Sequence, residues 1–140
     1  MGETEQIMNA AHGLDCFVAG YGQIAEKGPA SSFLKSLKVT IFPDQYCASV
    51  NRVSTILISD WLNDLFFKSF DNRVEFCAGD KQAGRDSCSG DSGGPLICVH
   101  GMEPILYGVI SWGDGCARQN SPGFYTKVTN YVGWINSVIN

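Results

Sequence analysis

Histidine is scarce in this sequence, with only His12 and His100 in 140 residues, and several other features are missing altogether. No CxxC pair is present, which removes the commonest framework for a structural zinc site. There is no basic stripe or interleaved basic-aromatic run, and the formal net charge is −4, so nothing recommends nucleic acid as a partner. No stretch approaches the roughly 20 apolar residues that a helical membrane span requires. The polar start Met1-Gly2-Glu3-Thr4-Glu5-Gln6 has no apolar signal core, and Gln6 stands where a myristoylation pattern would place Ser or Thr. An Asn-x-Ser/Thr acceptor, an internal repeat, a low-complexity run and an interdomain linker are all absent from the sequence. The chain reads as one domain with a polar lead at 1–12 and a single barrel at 13–140.

Six cysteines and 44% apolar residues are present. A reducing compartment would leave the cysteines as thiols, so the count points to disulfides and an extracellular setting. Strand-like runs fall at 16–21, 35–42, 73–78, 95–99, 106–112 and 123–128. In the second, Leu37, Val39 and Ile41 alternate with Ser36, Lys38 and Thr40, the period of one buried face and one wet face. Turn signals such as Lys27-Gly28-Pro29 separate the runs. The expectation is an all-β fold, a six-stranded antiparallel Greek-key barrel. Tyr131, Trp134, Ile135 and Val138 recur at helical spacing and predict a short amphipathic C-terminal α-helix.

The most informative run is Asp86-Ser87-Cys88-Ser89-Gly90-Asp91-Ser92-Gly93-Gly94-Pro95-Leu96. A nucleophilic serine must hold its Oγ clear of its own backbone, with N–H groups aimed at the oxyanion that forms in acyl transfer. Gly90, Gly93 and Gly94 permit such a backbone. A bare Gly-Asp-Ser would also suit an ordinary tight turn. The longer run resembles the nucleophile loop of the trypsin-like serine proteases.

Further segments extend this resemblance to nearly all of the chain after the lead. Cys16-Phe17-Val18-Ala19-Gly20-Tyr21-Gly22 is similar to the strand that opens the family's second barrel, and Val109-Ile110-Ser111-Trp112-Gly113 to the strand that flanks its substrate. Gly115-Cys116, then Pro122 to Val128, and Trp134-Ile135 continue the match. The resemblance implies the pairings Cys16 with Cys98, Cys47 with Cys77, and Cys88 with Cys116. It implies Ser92 as nucleophile, Gly90 and Ser92 N–H groups as oxyanion hole, and Asp91 as the acid that pairs with an activating amino terminus. Asp86 resembles the acid at the base of a pocket for a substrate Lys or Arg. Ser87 stands beside it, and Gly113 and Gly123 would leave the pocket open. Ser111, Trp112 and Gly113 would pair with the substrate backbone as an added strand. Neither a cofactor nor a metal is implied.

A serine of ordinary acidity needs a general base, normally a histidine oriented by a carboxylate. His12, in Asn9-Ala10-Ala11-His12-Gly13, echoes the family's histidine motif, but Gly13 stands where that motif has cysteine, and His12 reads as a loop residue. His100 reads as a turn residue beside Gly101. The expectation is therefore the nucleophile half of a secreted trypsin-like endopeptidase, a fragment or piece of a longer precursor that lacks the barrel carrying histidine and aspartate and is inactive alone. Without an amino terminus to pair with Asp91, the loop around Gly90 is expected to be disordered or zymogen-like. The alternative is a non-catalytic protease-like module that binds a protein or basic peptide. An insertion near 54–70 contains Ile58, Trp61, Leu62, Leu65 and Phe66 at helical spacing, with Ser59 as a cap. Such a helix would pack on the barrel or offer a partner-binding surface, unless the insertion is translated from a retained intron or a misassigned gene boundary.

Overall fold

The computed structural model of the chain describes residues 14–23, 27–55, 70–80, 90–113 and 122–140. Six strands, β1 (Asp15–Gly20), β2 (Lys35–Ile41), β3 (Glu75–Gly79), β4 (Pro95–His100), β5 (Glu103–Trp112) and β6 (Gly123–Lys127), close into a barrel. Their order around the barrel is β1-β2-β3-β6-β5-β4. Every neighbouring pair is antiparallel, and closure leaves no unpaired sheet edge. The six strand-like runs of the sequence each find their strand, with ends shifted by a few residues at most.

Alternation explains which side chains point inward. Cys16 and Val18 of β1, Val39 and Ile41 of β2 and Leu96 and Cys98 of β4 are buried, and the residues between them are more exposed. They surround Phe76, whose ring lies 5.0 Å from Tyr107 and 5.4 Å from Tyr125. β3 is buried along its whole length because it serves two cores. Phe76 and Ala78 face the barrel interior, and Cys77 faces an outer cluster with Cys47 and Phe124, bordered by Phe42, Phe70 and Trp112.

A β-bulge connects the two cores. Ile110 pairs with Tyr125 and Trp112 with Phe124, so Ser111 is an extra residue on β5. Residues two apart on a regular strand share a face. The bulge breaks that rule, so Ile110 belongs to the barrel interior and Trp112 to the outer cluster.

Helix α1 (Asp44–Thr55) has no counterpart among the sequence expectations. Pro43 sets its start, and the Tyr46 and Cys47 N–H groups donate to the Pro43 carbonyl at 3.0 and 3.1 Å. Asp44 sits in the first turn, where the helix dipole favours negative charge. The disulfide Cys47–Cys77 fixes the helix to β3, and Cys16–Cys98 joins β1 to β4. These bridges span sequence separations of 30 and 82 residues, each contributing about 4 kcal/mol by restriction of the unfolded chain. The third expected pair, Cys88 with Cys116, lies outside the described residues, as do His12 and the 56–69 part of the insertion.

A 3-10 turn (Val128–Tyr131) leads into helix α2 (Val132–Ile139). The helix stands where the terminal periodicity puts it, yet none of its residues is fully buried. Trp134 is 67% and Ile139 71% exposed.

Candidate active site

Ser92 occupies the tip of a four-residue turn. The Gly94 N–H donates to the Asp91 carbonyl at 2.8 Å, closing the turn around Ser92 and Gly93. Gly93 has φ +83°, close to the left-handed value that a type II turn requires at its third position. Gly90, with φ +95°, makes a second left-handed step at the turn's entrance. A side chain at either position would strain the loop. Ser92 itself is exposed, so the geometry frees its hydroxyl from the backbone.

Strand β5 holds this turn from below. The Gly93 N–H donates to the Ile110 carbonyl at 2.8 Å, and the Ile110 N–H donates to the Gly94 carbonyl at 2.9 Å. Ser111, Trp112 and Gly113 follow at once along the same strand end, so the Ser92 turn and this segment share β5 as a support. Ser111 and Trp112 are half-buried and Gly113 is exposed. Gly123 is buried at the start of β6, paired with Ala78.

Asp91 reaches the chain just beyond β1. Its Oδ1 accepts the Gly22 N–H at 2.8 Å. The expected partner for this acid is an amino terminus, because a residue pattern displays side chains and not backbone amides. The seat is made by close approach. A Cβ on Gly20 would fall 2.0 Å from Asp91 Oδ1, and one on Gly22 would fall 2.5 Å from Asp91 Cγ. Gly22 is itself held by its carbonyl, which accepts the Ser31 N–H at 3.1 Å. The two glycines of Gly20-Tyr21-Gly22 thus leave the space that the Asp91 carboxylate occupies.

Trp112 stacks on Phe124, with centroids 4.0 Å apart and planes 6° apart. Phe124 contacts Phe70 on its own part, at 5.7 Å. The Trp112 indole N–H donates to Glu75 Oε1 at 3.0 Å. Glu75 was not among the residues singled out in the sequence. It precedes Phe76 in a strand run, and only the bulge at Ser111 brings an indole to it.

Of the remaining expected site residues, Asp86 and Ser87 lie outside the described residues. His100 is exposed at the far end of β4, five residues beyond Pro95 and so roughly 17 Å along the strand from the Ser92 turn. It is no base for Ser92. No group of His, Cys, Asp and Glu suited to a metal ion occurs among the described residues.

A closed barrel whose serine turn is pinned to the strand of Ser111-Trp112-Gly113 matches the fold that the motifs imply. Comparison with known families decides the matter, since the family model described as Trypsin matches residues 3–135. The chain belongs to the trypsin family. It is 41% identical over 128 residues to tissue-type plasminogen activator of Sus scrofa, a match covering 86% of this chain and 20% of that protein. It is 38% identical over 139 residues to urokinase-type plasminogen activator of Gallus gallus, covering 97% of this chain and 28% of the relative. With tissue-type plasminogen activator of Mus musculus it shares 39% identity over 128 residues, again 20% of the relative's length. The chain therefore spans 20% to 28% of these trypsin-family relatives.

Proposed function

We propose that this chain carries the nucleophile half of a secreted serine endopeptidase that cleaves after Lys or Arg. The observation that carries the proposal is the exposed Ser92 on a turn pinned to β5 beside the Ser111–Gly113 strand end. In the reaction, Ser92 Oγ attacks the scissile carbonyl and a general base takes its proton. The base then gives that proton to the leaving amine, and water hydrolyses the acyl-enzyme by the reverse steps. The Gly90 and Ser92 N–H groups serve the developing oxyanion. Asp86 binds the substrate's basic side chain from the base of its pocket, with Ser87, Gly113 and Gly123 around it.

The base is a histidine of another barrel. His100 is too far from Ser92, and the motif around His12 ends in Gly13. Loss of the histidine in this mechanism lowers turnover on the order of 10⁶-fold, so the 140 residues alone are expected to hydrolyse peptides at background rates. The relatives' names speak of plasminogen, which makes it the first protein substrate to try. The extracellular setting follows from the six cysteines.

The test is a panel of peptide thioesters that differ only in the residue before the scissile bond, offered to this chain with a histidine-bearing N-terminal barrel supplied from a plasminogen activator. Turnover restricted to Lys and Arg and abolished by Ser92→Ala supports the proposal. Tight binding of basic peptides with no Ser92-dependent turnover would instead favour a protease-like binding module.

A further inference from the structure

Glu75 is an acidic residue with 3% of its surface exposed, placed in a strand otherwise made of Phe76, Cys77, Ala78 and Gly79. Burying a carboxylate is unfavourable unless it is hydrogen-bonded. Its two oxygens divide the work. Oε1 accepts the Trp112 indole N–H at 3.0 Å, and Oε2 accepts the Asp71 backbone N–H at 3.3 Å. The turn returns the contact from the other side, since the Val74 and Glu75 N–H groups both donate to the Asp71 carbonyl. Asp71 is in turn gripped by Arg73, whose Nε and Nη2 donate to its carboxylate at 2.9 and 2.8 Å.

We infer that Glu75 is the positioning residue for Trp112, holding the indole flat on Phe124 and so setting one wall of the peptide-binding cleft. The inference deepens the peptidase reading and rests on it for the word cleft. The physical need arises from the bulge at Ser111. Trp112 sits at the end of β5, next to an exposed Gly113. Stacking on Phe124 fixes the plane of the indole but leaves it free to slide or turn within that plane. A directional bond from Nε1 to a buried carboxylate removes this freedom. A peptide laid along Ser111–Gly113 as an added strand projects alternate side chains onto that wall, so the setting of the indole bears on affinity for the residues before the cleaved bond. Because Glu75 also binds the Asp71 amide, the wall is tied to the segment that enters β3 from the Cys47–Cys77 loop.

The experiment uses the full 140-residue chain with Glu75→Met, which keeps the side chain's length and removes the acceptor, and Glu75→Gln, whose single acceptor oxygen serves the indole at the cost of the longer bond from the Asp71 amide. The first readout is hydrogen exchange of the Trp112 indole N–H by NMR, assigned through its disappearance in Trp112→Phe. The second is affinity for an arginine-terminated tetrapeptide amide, with benzamidine as a probe that spans only the basic-residue pocket. Expected are at least tenfold faster indole exchange and about tenfold weaker tetrapeptide binding in Glu75→Met, benzamidine affinity unchanged, and both properties restored in Glu75→Gln. Indole exchange as slow in folded Glu75→Met as in the parent would overturn the inference, as would Glu75→Gln behaving like Glu75→Met. If Glu75→Met does not fold, Glu75→Gln with wild-type indole exchange supports the inference and faster exchange overturns it. Failure of the parent chain to bind either probe even with the histidine-bearing barrel added, with the indole results as expected, would count against the peptidase reading and leave the positioning role standing.

Discussion

Ser92 owes its setting to its neighbour Asp91. Asp91 anchors the turn through the Gly22 amide, and the notch for its carboxylate exists only because Gly20 and Gly22 have no side chains. Gly22→Ala is expected to expel the carboxylate and lower stability by about 1–3 kcal/mol, seen as a fall in denaturation midpoint. Ser31→Ala, which leaves the backbone bond to Gly22 in place, should change it little. The Gly-Asp-Ser-Gly-Gly run was legible as a serine loop, because left-handed glycines and an exposed hydroxyl are properties of residue types. The seat of Asp91 was not, since its donor is a backbone amide almost seventy residues away in the chain. Tyr107 offers a second test at this scale. Burial, with the negative charge of Asp44 adding to it, pushes its hydroxyl up to about 12 from 10. The unfolded chain therefore releases this proton first as pH rises, so the contribution to stability is full below pH 10 and is lost between about pH 10 and 12. Thermal unfolding at pH 9 and pH 11 should show part of this decline, worth on the order of 1 kcal/mol, and Tyr107→Phe should flatten it.

Among the elements, those that obey a simple period were readable and those shaped by long-range contacts were not. The alternation of Leu37, Val39 and Ile41 carries β2 almost to the residue, because one face of that strand is wet. β3 has no such alternation, being buried on both faces between two cores, and its type is set by flanking turns and by Phe76. Helix α1 went unread for a different reason. Its C-terminal half, with Val50, Asn51, Val53, Ser54 and Thr55, is poor in strong helix formers. The element is held instead by Pro43 at its start and by Cys47 bonded to Cys77, a constraint visible only after the strands are arranged. Replacing Cys47 and Cys77 together by Ala should lower stability by roughly 3–4 kcal/mol. The loss should concentrate in α1, with faster amide exchange there than in β1 and β4. Equal loosening of every strand would show that the bridge supports the barrel as a whole.

At the scale of the whole molecule, the barrel is complete while one of its elements stays uncovered. Helix α2 keeps Trp134, Val138 and Ile139 exposed at 67%, 64% and 71%, an unusual display for so short a segment. Sequence periodicity predicts the helix but not this exposure, because a period says that a face is apolar and not what covers it. On the proposed reading, this is surface that a second barrel would cover. Trp134→Gln with Ile139→Gln is expected to reduce self-association of the chain at high concentration without lowering its melting temperature, as sedimentation and thermal scans would register.

The most direct test of the central claim is the rate of arginine-thioester hydrolysis by the 140-residue chain, measured alone and then with a histidine-bearing barrel supplied from a plasminogen activator. The expected result is background turnover alone, a rise of several orders of magnitude with the added barrel, and complete loss of that rise in Ser92→Ala. Turnover that survives Ser92→Ala, or hydrolysis by the chain alone at ordinary enzymatic rates, would contradict the assignment of this chain as the nucleophile half of a trypsin-like peptidase.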